Sequence, residues 1–194
     1  HLDIIQIPSN SFALQAKVFL NGSYNAVTGL MEDELRSQHL IPLIEPYSSA
    51  PMFKPQLLGG GGESTSTSVL NITGSNAIVD WVHIEIRSAA NYNLLLATKN
   101  ALLQRDGDIV SSTDGVSPLL FTGLPAGNYY ISVKHRNHLG VMMANAISLS
   151  LGTLSYANFT NMPLHVVPSI VNNTPAKMSG SIQTLWSGDP NYNK

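Results

Sequence analysis

The chain has 194 residues, enough for one domain with its own hydrophobic core. Only 11% of the residues are charged and the formal net charge is −2, so we expect no nucleic-acid partner, and no apolar run reaches the roughly 18 residues that a membrane-spanning helix needs. Cysteine is absent, which excludes disulfides, thiol catalysis and thiolate metal sites. With so few charges, the surface must be polar through Ser, Thr, Asn, Gln and Gly. This composition is typical of extracellular β-proteins and of subunits that bury much of their surface against neighbours.

The N-terminal segment, residues 1–13, carries several apolar side chains. We predict that it forms either an extended arm, which adds a strand to a neighbouring subunit, or the first strand of the same domain. Residues 14–194 are then a single β-sandwich domain. The side chains that would form the assembly arm are Leu2, Ile4, Ile5 and Ile7.

The stretch that follows contains one candidate helix and one long loop. Leucine and methionine recur near helical spacing in residues 30–40, acidic residues come early and Pro42 follows, which predicts a short helix of about one to three turns. Residues 55–66 include four consecutive glycines. We predict a long, mobile surface loop there.

Apolar and polar residues alternate in short runs along the rest of the chain, with Gly, Asn and Pro between the runs. This pattern predicts half-buried strands, and its recurrence indicates an all-β fold, a prealbumin- or immunoglobulin-like sandwich of about eight to ten strands. Trp81 lies in the alternate register from the isoleucine row of its strand, so it is either exposed or fills a second core. The predicted core consists of Val18, Leu20, Ile84, Ile86, Leu120, Tyr129 or Tyr130, Ile131, Val133, Ile147 and Leu149.

Two Asp-Gly pairs, at residues 106–107 and 114–115, indicate chain reversals. Asp-Gly is favoured in type I′ hairpin turns, so the acids here are most simply turn residues. A weak calcium site is the alternative, since hard oxygen ligands suit this ion. Its candidate ligands are Asp106, Asp108 and Asp114.

His135 and His138 are a possible metal pair. Three residues apart on one continuous strand, their side chains would point to opposite faces. If the strand ends at Arg136, a turn at Asn137 brings the two rings together, and a structural hydrogen-bonding role is then favoured over a metal. We expect Arg136 to pair with a turn carboxylate.

Enzyme readings have little support, and we predict no catalytic activity and no firm cofactor. No Gly-x-Ser-x-Gly occurs, and none of the acids offers a pair with a reason to be buried; Glu85 is expected on an outward strand face. One remote alternative is a copper enzyme that chelates the metal through the amine and ring of His1. A second histidine would complete that site, and the candidates are His83, His135, His138 and His165.

Several phrases resemble a known family. "KVFLNGSYNAVTGLMEDELRSQHLIPLIEPY", "AIVDWVHIEIRS", "LATKNALLQRDGDIV", "DGVSPLLFTGLPAGNYYISVKHRNHLGVM" and "LWSGDPNYN" occur in this order. Together they resemble an uncharacterised β-rich region of large secreted or cell-surface Bacteroidota proteins, over roughly residues 16–191. The resemblance implies an extracellular protein and implies no enzymatic activity.

In that family the region commonly precedes a dockerin-like Trp-x-Gly-Asp-x-Asn calcium segment. By this resemblance Asp189, Asn191 and Asn193 correspond to the first three oxygen ligands of a calcium loop. Lys194 then replaces the expected glycine, which makes a bound calcium ion doubtful and suggests a chain that stands alone.

Two non-enzymatic functions remain. The first is an extracellular structural subunit that self-associates into a fibre or surface layer through the apolar arm. The second is a glycan-binding or adhesive module, with Trp81 as an additional contact if it is exposed, and with candidate aromatic contacts at Tyr24, Tyr47, Phe53, Tyr92, Trp186 and Tyr192. Glycosylation sequons occur about as often as chance expects, and the possible acceptors are Asn21, Asn71, Asn158 and Asn172.

Overall fold

The computed structural model describes residues 6–166 and 174–188. The chain is an all-β sandwich built on one nine-stranded sheet, with two small two-stranded sheets and two single-turn α-helices, so the predicted fold class is confirmed. No helix in these two ranges is long and apolar enough to cross a membrane. The strands are β1 Ser11–Lys17, β2 Tyr24–Asn25, β3 Leu30–Met31, β4 Ile78–Ser88, β5 Leu95–Gln104, β6 Asp108–Val110, β7 Leu119–Thr122, β8 Gly127–His135, β9 His138–Met142, β10 Ile147–Leu149, β11 Leu154–Asn158, β12 Lys177–Ser179 and β13 Ile182–Thr184. The α-helices are α1 Glu34–Ser37 and α2 Thr67–Leu70, and Pro51–Phe53 and Gly74–Asn76 are 3-10 turns.

The large sheet has the strand order β10-β8-β4-β5-β6-β1-β11. Strand β9 lies beside β8 next to β10, and β7 lies beside β1 next to β6. All of these pairs are antiparallel except β1 with β11, which run parallel. The sheet rolls so far that its two terminal strands approach, and the Ser155 hydroxyl of β11 donates to the Ser148 carbonyl of β10 at 3.1 Å.

The main core lies inside this roll. Its aromatic centre joins three strands, since the Phe12 ring lies 5.6 Å from Phe121 and 6.4 Å from Tyr129. Leu120, predicted to be core, is 38% exposed, because β7 alternates and its neighbours Leu119 and Phe121 point inward instead. Of the other predicted core residues Ile147 is half-buried against the core, and the fully buried ones are Val18, Leu20, Ile84, Ile86, Tyr129, Ile131, Val133 and Leu149.

A second core covers the outer face of β4. The irregular segment 41–72 folds over this face, so β4 is buried on both sides along most of its length. Trp81 sits at the centre, with its ring N–H donating to the Pro42 carbonyl at 2.8 Å. The Tyr47 hydroxyl donates to the Trp81 carbonyl at 2.7 Å. The second-core alternative for Trp81 is therefore confirmed.

The helix predicted within residues 30–40 is present as a single turn, the lower limit of the predicted length. Leu30 and Met31 form β3 instead, paired with β2, and Met31 is buried in the main core. Only Glu34–Ser37 is helical. The sequence also failed to predict α2, whose first turn is capped by the Ser66 hydroxyl accepting from the Val69 amide.

The glycine-rich loop is anchored to the sheet. Leu57 exchanges hydrogen bonds with Thr98, and the Asn100 amide donates to Glu63, so the loop covers a stretch of β5 that β6 leaves open. Gly60 lies against Thr98, and a Cβ there would fall within 2.5 Å of the Thr98 carbonyl oxygen. The mobility predicted from the glycines is thus opposed by hydrogen bonds and a close backbone contact.

The N-terminal segment enters the sheet directly. Strand β1 starts at Ser11, so the domain boundary that we drew between residues 13 and 14 falls inside a strand. β1 is an interior strand, with β6 and β7 on one side and β11 on the other. Ile7 is half-buried, whereas Leu2, Ile4 and Ile5 lie outside the described residues.

Candidate functional site

A tight turn brings the two histidines together. Strand β8 ends at His135 and β9 begins at His138, with only Arg136 and Asn137 between them. The two Nδ1 atoms lie 2.9 Å apart. The sequence left this arrangement open as the consequence of a turn near Asn137, and the structure confirms it.

Asp80 of β4 holds this turn from the core side. Its Oδ2 lies 3.1 Å from His135 Nε2, and an Arg136 guanidinium nitrogen donates to both carboxylate oxygens at 2.8 and 2.9 Å. The partner predicted for Arg136 was a turn carboxylate, which is wrong, because pairing of β8 with β4 brings this turn beside the strand residue Asp80 instead. The only sequence signal for Asp80 was an acid within an apolar row.

The second ring is fixed by the backbone. His138 Nε2 lies 3.0 Å from the Asn21 carbonyl oxygen, which only accepts, so this nitrogen carries the proton. Burial, together with the nearby His135, lowers the pKa of His138 to about 4. At neutral pH its Nδ1 is therefore an unprotonated lone pair.

These groups face a cleft of about 260 Å³. Two exposed carboxylates, Glu32 and Glu34, line it on the side of α1. The segment 186–188 runs beside the turn, with the Gly188 amide donating to the Asn137 carbonyl at 3.2 Å. The cleft is lined by Leu20, Gly22, Ser23, Glu32, Glu34, Leu35, Val79, Asp80, His135, Asn137 and His138.

A second polar cluster centres on Glu85 on the outer face of β4. Glu85 is 3% exposed, and its carboxylate contacts Lys134 Nζ at 2.7 Å, Arg87 at 2.7 Å and the Ser132 hydroxyl at 2.6 Å. Burial alone would raise the pKa of Glu85, but the hydrogen bonds and positive charges outweigh it and hold the pKa at about 2. Glu85 lies on the outer face of β4, as predicted, but that face is covered and the carboxylate is buried. Glu45 is also buried, and it accepts backbone N–H bonds inside the loop segment.

Two of the acids predicted as turn residues accept backbone hydrogen bonds within their turns. Asp106 accepts from the Asp108 amide, and Asp114 accepts from the Val116 and Ser117 amides. The first turn is not type I′, since only its glycine, at φ +92°, is left-handed. Asp108 pairs with Lys17 at 2.9 Å.

These acids give little support to a calcium site. Asp106 and Asp108 share one turn, and Asp114 lies in another. Within residues 6–166 and 174–188, no group of three or more His, Asp or Glu is placed to hold one metal ion. The calcium candidates Asp189, Asn191 and Asn193 lie outside the described residues.

The aromatic residues considered for glycan binding differ in burial. Tyr47, Phe53 and Trp81 are buried in the second core, so they are not available to a glycan. Tyr92 is 41% exposed. Tyr24 packs on Phe19 with ring centroids 4.4 Å apart, Trp186 donates to the Thr174 carbonyl, and Tyr192 lies outside the described residues.

Of the candidates for the second copper-binding histidine, His135 and His138 lie together in the turn described above, whereas His83 and His165 lie elsewhere. His83 is fully buried and hydrogen-bonded to Asn100, and His165 packs against Tyr92 on the surface. His1 lies outside the described residues.

The glycosylation candidates differ in setting. Asn71 is exposed just after α2. Asn21 and Asn158 are half-buried, the first donating to the Ser187 hydroxyl and the second accepting from Thr160. Asn172 is outside the described part of the chain.

Comparison of the chain with protein-family models, with curated proteins and with solved structures found no match. The class that the structure defines is an all-β sandwich with a histidine-lined cleft at one end of its sheet.

Proposed function

We propose that the protein is a non-catalytic, extracellular structural subunit that assembles with copies of itself by strand addition. The observation that carries the proposal is the outer edge of β11, which offers backbone hydrogen-bonding groups beside exposed apolar side chains. The low charge content and the small polar residues of the surface support an extracellular, partner-covered protein.

The hydrogen-bond pattern of the parallel β1–β11 pair determines which backbone groups of β11 are not bonded to β1. The Ala13 amide donates to the Thr153 carbonyl and the Phe159 amide to the Lys17 carbonyl, so the odd-numbered residues of this segment bond β1. The N–H and C=O groups of Leu154 and Tyr156 then point away from β1. In the described part of the chain β1 is the one strand that pairs with β11.

Other edges are covered from within the chain. Segment 186–188 lies along β9, where the Leu139 amide donates to the Trp186 carbonyl. The glycine-rich loop covers β5. Because exposed edges invite pairing with other chains, proteins commonly cover or block them. The edge of β11 is approached by β10 through one side-chain contact, from the Ser155 hydroxyl to the Ser148 carbonyl, but no ladder joins the two strands, so a strand added there has to part β11 from β10.

Apolar side chains accompany this edge on the outer face of the sheet. Register places Leu120, Ala13 and Leu154 in one row across β7, β1 and β11. Tyr156 follows on the same face and is 62% exposed. An added strand would gain backbone hydrogen bonds from the edge and side-chain burial from this row.

The occupant that we propose is the N-terminal arm, residues 1–7, of a second copy. In extended form these residues carry apolar side chains on both faces and, at about 3.3 Å per residue, span roughly 23 Å; a turn, in which the Ser11 amide donates to the Pro8 carbonyl, separates them from β1. Pairing of one copy's arm with the edge of the next copy is a head-to-tail contact. Such contacts give filaments when the rotation does not close.

A double-cysteine experiment tests this pairing in a chain that has no cysteine of its own. Ile4→Cys or Ile5→Cys, which cover both faces of the arm, is combined with Tyr156→Cys and the protein is oxidised. Arm addition between copies predicts a ladder of reducible multimers on a non-reducing gel.

The matched control replaces Tyr156→Cys with Val27→Cys, because Val27 is 94% exposed in the β2–β3 turn, away from this edge. It should give only the background of collisional dimers. A fast-migrating monomer band from the Tyr156 pairs would mean that the arm pairs within its own chain. That result, or multimers equal to the control, would refute the proposal.

A second candidate function, glycan binding, is favoured by one surface cluster. The Tyr92 ring lies 4.8 Å from His165 and 6.2 Å from Tyr130, and Arg87 donates to the Tyr92 carbonyl at 3.0 Å. An exposed aromatic held by neighbours is a platform for a sugar face. A glycan array should give hits that Tyr92→Ala removes, and an array without wild-type hits would argue against this function.

A further inference from the structure

The hydrogen bonds around the two histidines settle which of their nitrogens carry protons. His135 Nε2 faces the Asp80 carboxylate and His138 Nε2 faces the Asn21 carbonyl, and both of these partners only accept. In the neutral rings both protons therefore sit on Nε2. The two Nδ1 atoms, 2.9 Å apart, then present lone pairs to each other.

Two lone pairs at this distance repel unless a cation lies between or beside them. The Asn137 amide reaches only one of the two nitrogens, His135 Nδ1, at 3.2 Å. A shared proton would bridge the pair, and so would a metal ion. The pair borders the solvent-accessible cleft, which Glu32 and Glu34 make negative, and this favours entry of a divalent ion.

We propose that His135 and His138 form a two-histidine site for a divalent transition metal ion of the class that prefers imidazole, such as Zn²⁺, Cu²⁺ or Ni²⁺. Tetrahedral Zn²⁺ with bonds of 2.0–2.1 Å separates two ligand nitrogens by about 3.3 Å. The present separation is 2.9 Å. To admit the ion, the rings would move apart by a few tenths of an ångström and the Asn137 amide would give up its hydrogen bond to His135 Nδ1, while water or an external ligand would fill the other positions from the cleft.

The groups behind the rings match those of metal sites. A histidine that binds metal usually donates its other ring N–H to a carboxylate or a backbone carbonyl, which fixes the tautomer and raises the basicity of the ligating nitrogen. Asp80 does this for His135 and the Asn21 carbonyl does it for His138. Arg136 in turn holds Asp80 in place. This proposal is independent of the assembly proposed above.

The direct test follows the ring nitrogens by NMR on the uniformly ¹⁵N-labelled full chain, titrated with Zn²⁺ at fixed neutral pH. Metal binding predicts that the Nδ1 resonances of His135 and His138 both move to metal-bound values and saturate together at one equivalent. The Nε2 resonances of both rings should remain protonated. If these two nitrogens do not respond to Zn²⁺, or show a shared proton only, the proposal is wrong.

Variants give the second readout, Zn²⁺ affinity by calorimetry. His138→Gln should abolish the site, and Asp80→Asn should weaken binding by about 10- to 100-fold through loss of the supporting carboxylate. His39→Asn is the matched control, since His39 is exposed at φ +58°, a conformation that asparagine tolerates. His1→Ala removes any contribution from the His1 ring and from its chelation together with the N-terminal amine. Unchanged affinity in His138→Gln would overturn the assignment, and the wild-type NMR titration decides the question if a variant fails to fold.

Discussion

Replacing Glu85 with glutamine should destabilise the fold by an amount that depends on pH. The carboxylate is buried against Lys134, Arg87 and Ser132, which hold its pKa at about 2 against an ordinary value of 4.5. A depressed folded-state pKa contributes stability above the unfolded pKa and loses it as the pH falls through the folded pKa. At 1.36 kcal/mol per pKa unit, the contribution is about 3 kcal/mol at neutral pH. Roughly half of it should remain at pH 3.

The assay is urea denaturation of wild type and Glu85→Gln at several pH values, followed by tryptophan fluorescence, since Trp81 is fully buried. The difference in unfolding free energy should be about 3 kcal/mol at pH 7 and should fall to about 0.4 kcal/mol at pH 2, where half of the wild-type carboxyl groups are protonated. With a urea m-value of about 2–3 kcal/mol/M, the midpoint should shift by about 1 M at pH 7. A difference that stays constant over this pH range would refute the reasoning.

Two further substitutions test the outer layer of the sandwich. Gly60→Ala should lower the unfolding free energy by about 1–3 kcal/mol, because the new methyl group meets the Thr98 backbone. Hydrogen exchange at the Thr98 amide should accelerate as the loop lifts from β5. Unchanged protection of this amide would contradict the anchoring of the loop. Tyr47→Phe should lower the unfolding free energy, measured by chemical denaturation, by about 1–2 kcal/mol, because it removes the hydroxyl that donates to the buried Trp81 carbonyl. An unchanged unfolding free energy would mean that this hydrogen bond makes no net contribution to stability.

Strand periodicity carried most of the fold prediction. Alternation is a local property, so the isoleucine row of β4 and the inward residues of β8 could be assigned without knowing their neighbours. Where apolar and polar residues do not alternate, the sequence does not predict which residues of the strand face the core. In "PLLFT" three consecutive apolar residues fit either register, and the choice of Leu120 over Leu119 and Phe121 was wrong.

The second core could not be predicted in the same way. Tyr47 and Phe53 lie in irregular segments without a period, so nothing local indicates that they fold back over β4. Glu85 illustrates the same limit for charges. Its burial depends on Lys134 and Ser132, which are distant in sequence and become its neighbours only through pairing of β4 with β8.

The candidate site was predictable in part. The spacing of His135 and His138 showed that a turn between them would join the rings, and the turn residues Arg136 and Asn137 were named. Asp80 could not be assigned, because its contacts with His135 and Arg136 form only when β4 pairs with β8, which is distant in sequence.

Sedimentation velocity over a concentration series tests assembly through the arm and the β11 edge most directly. Wild-type protein should form larger species as its concentration rises. Deletion of residues 1–9, which ends before β1 begins at Ser11, and Tyr156→Lys, which places a charge at the edge, should each leave a monomer. A wild-type chain that stays monomeric throughout, or assemblies that persist unchanged in both variants, would contradict the account.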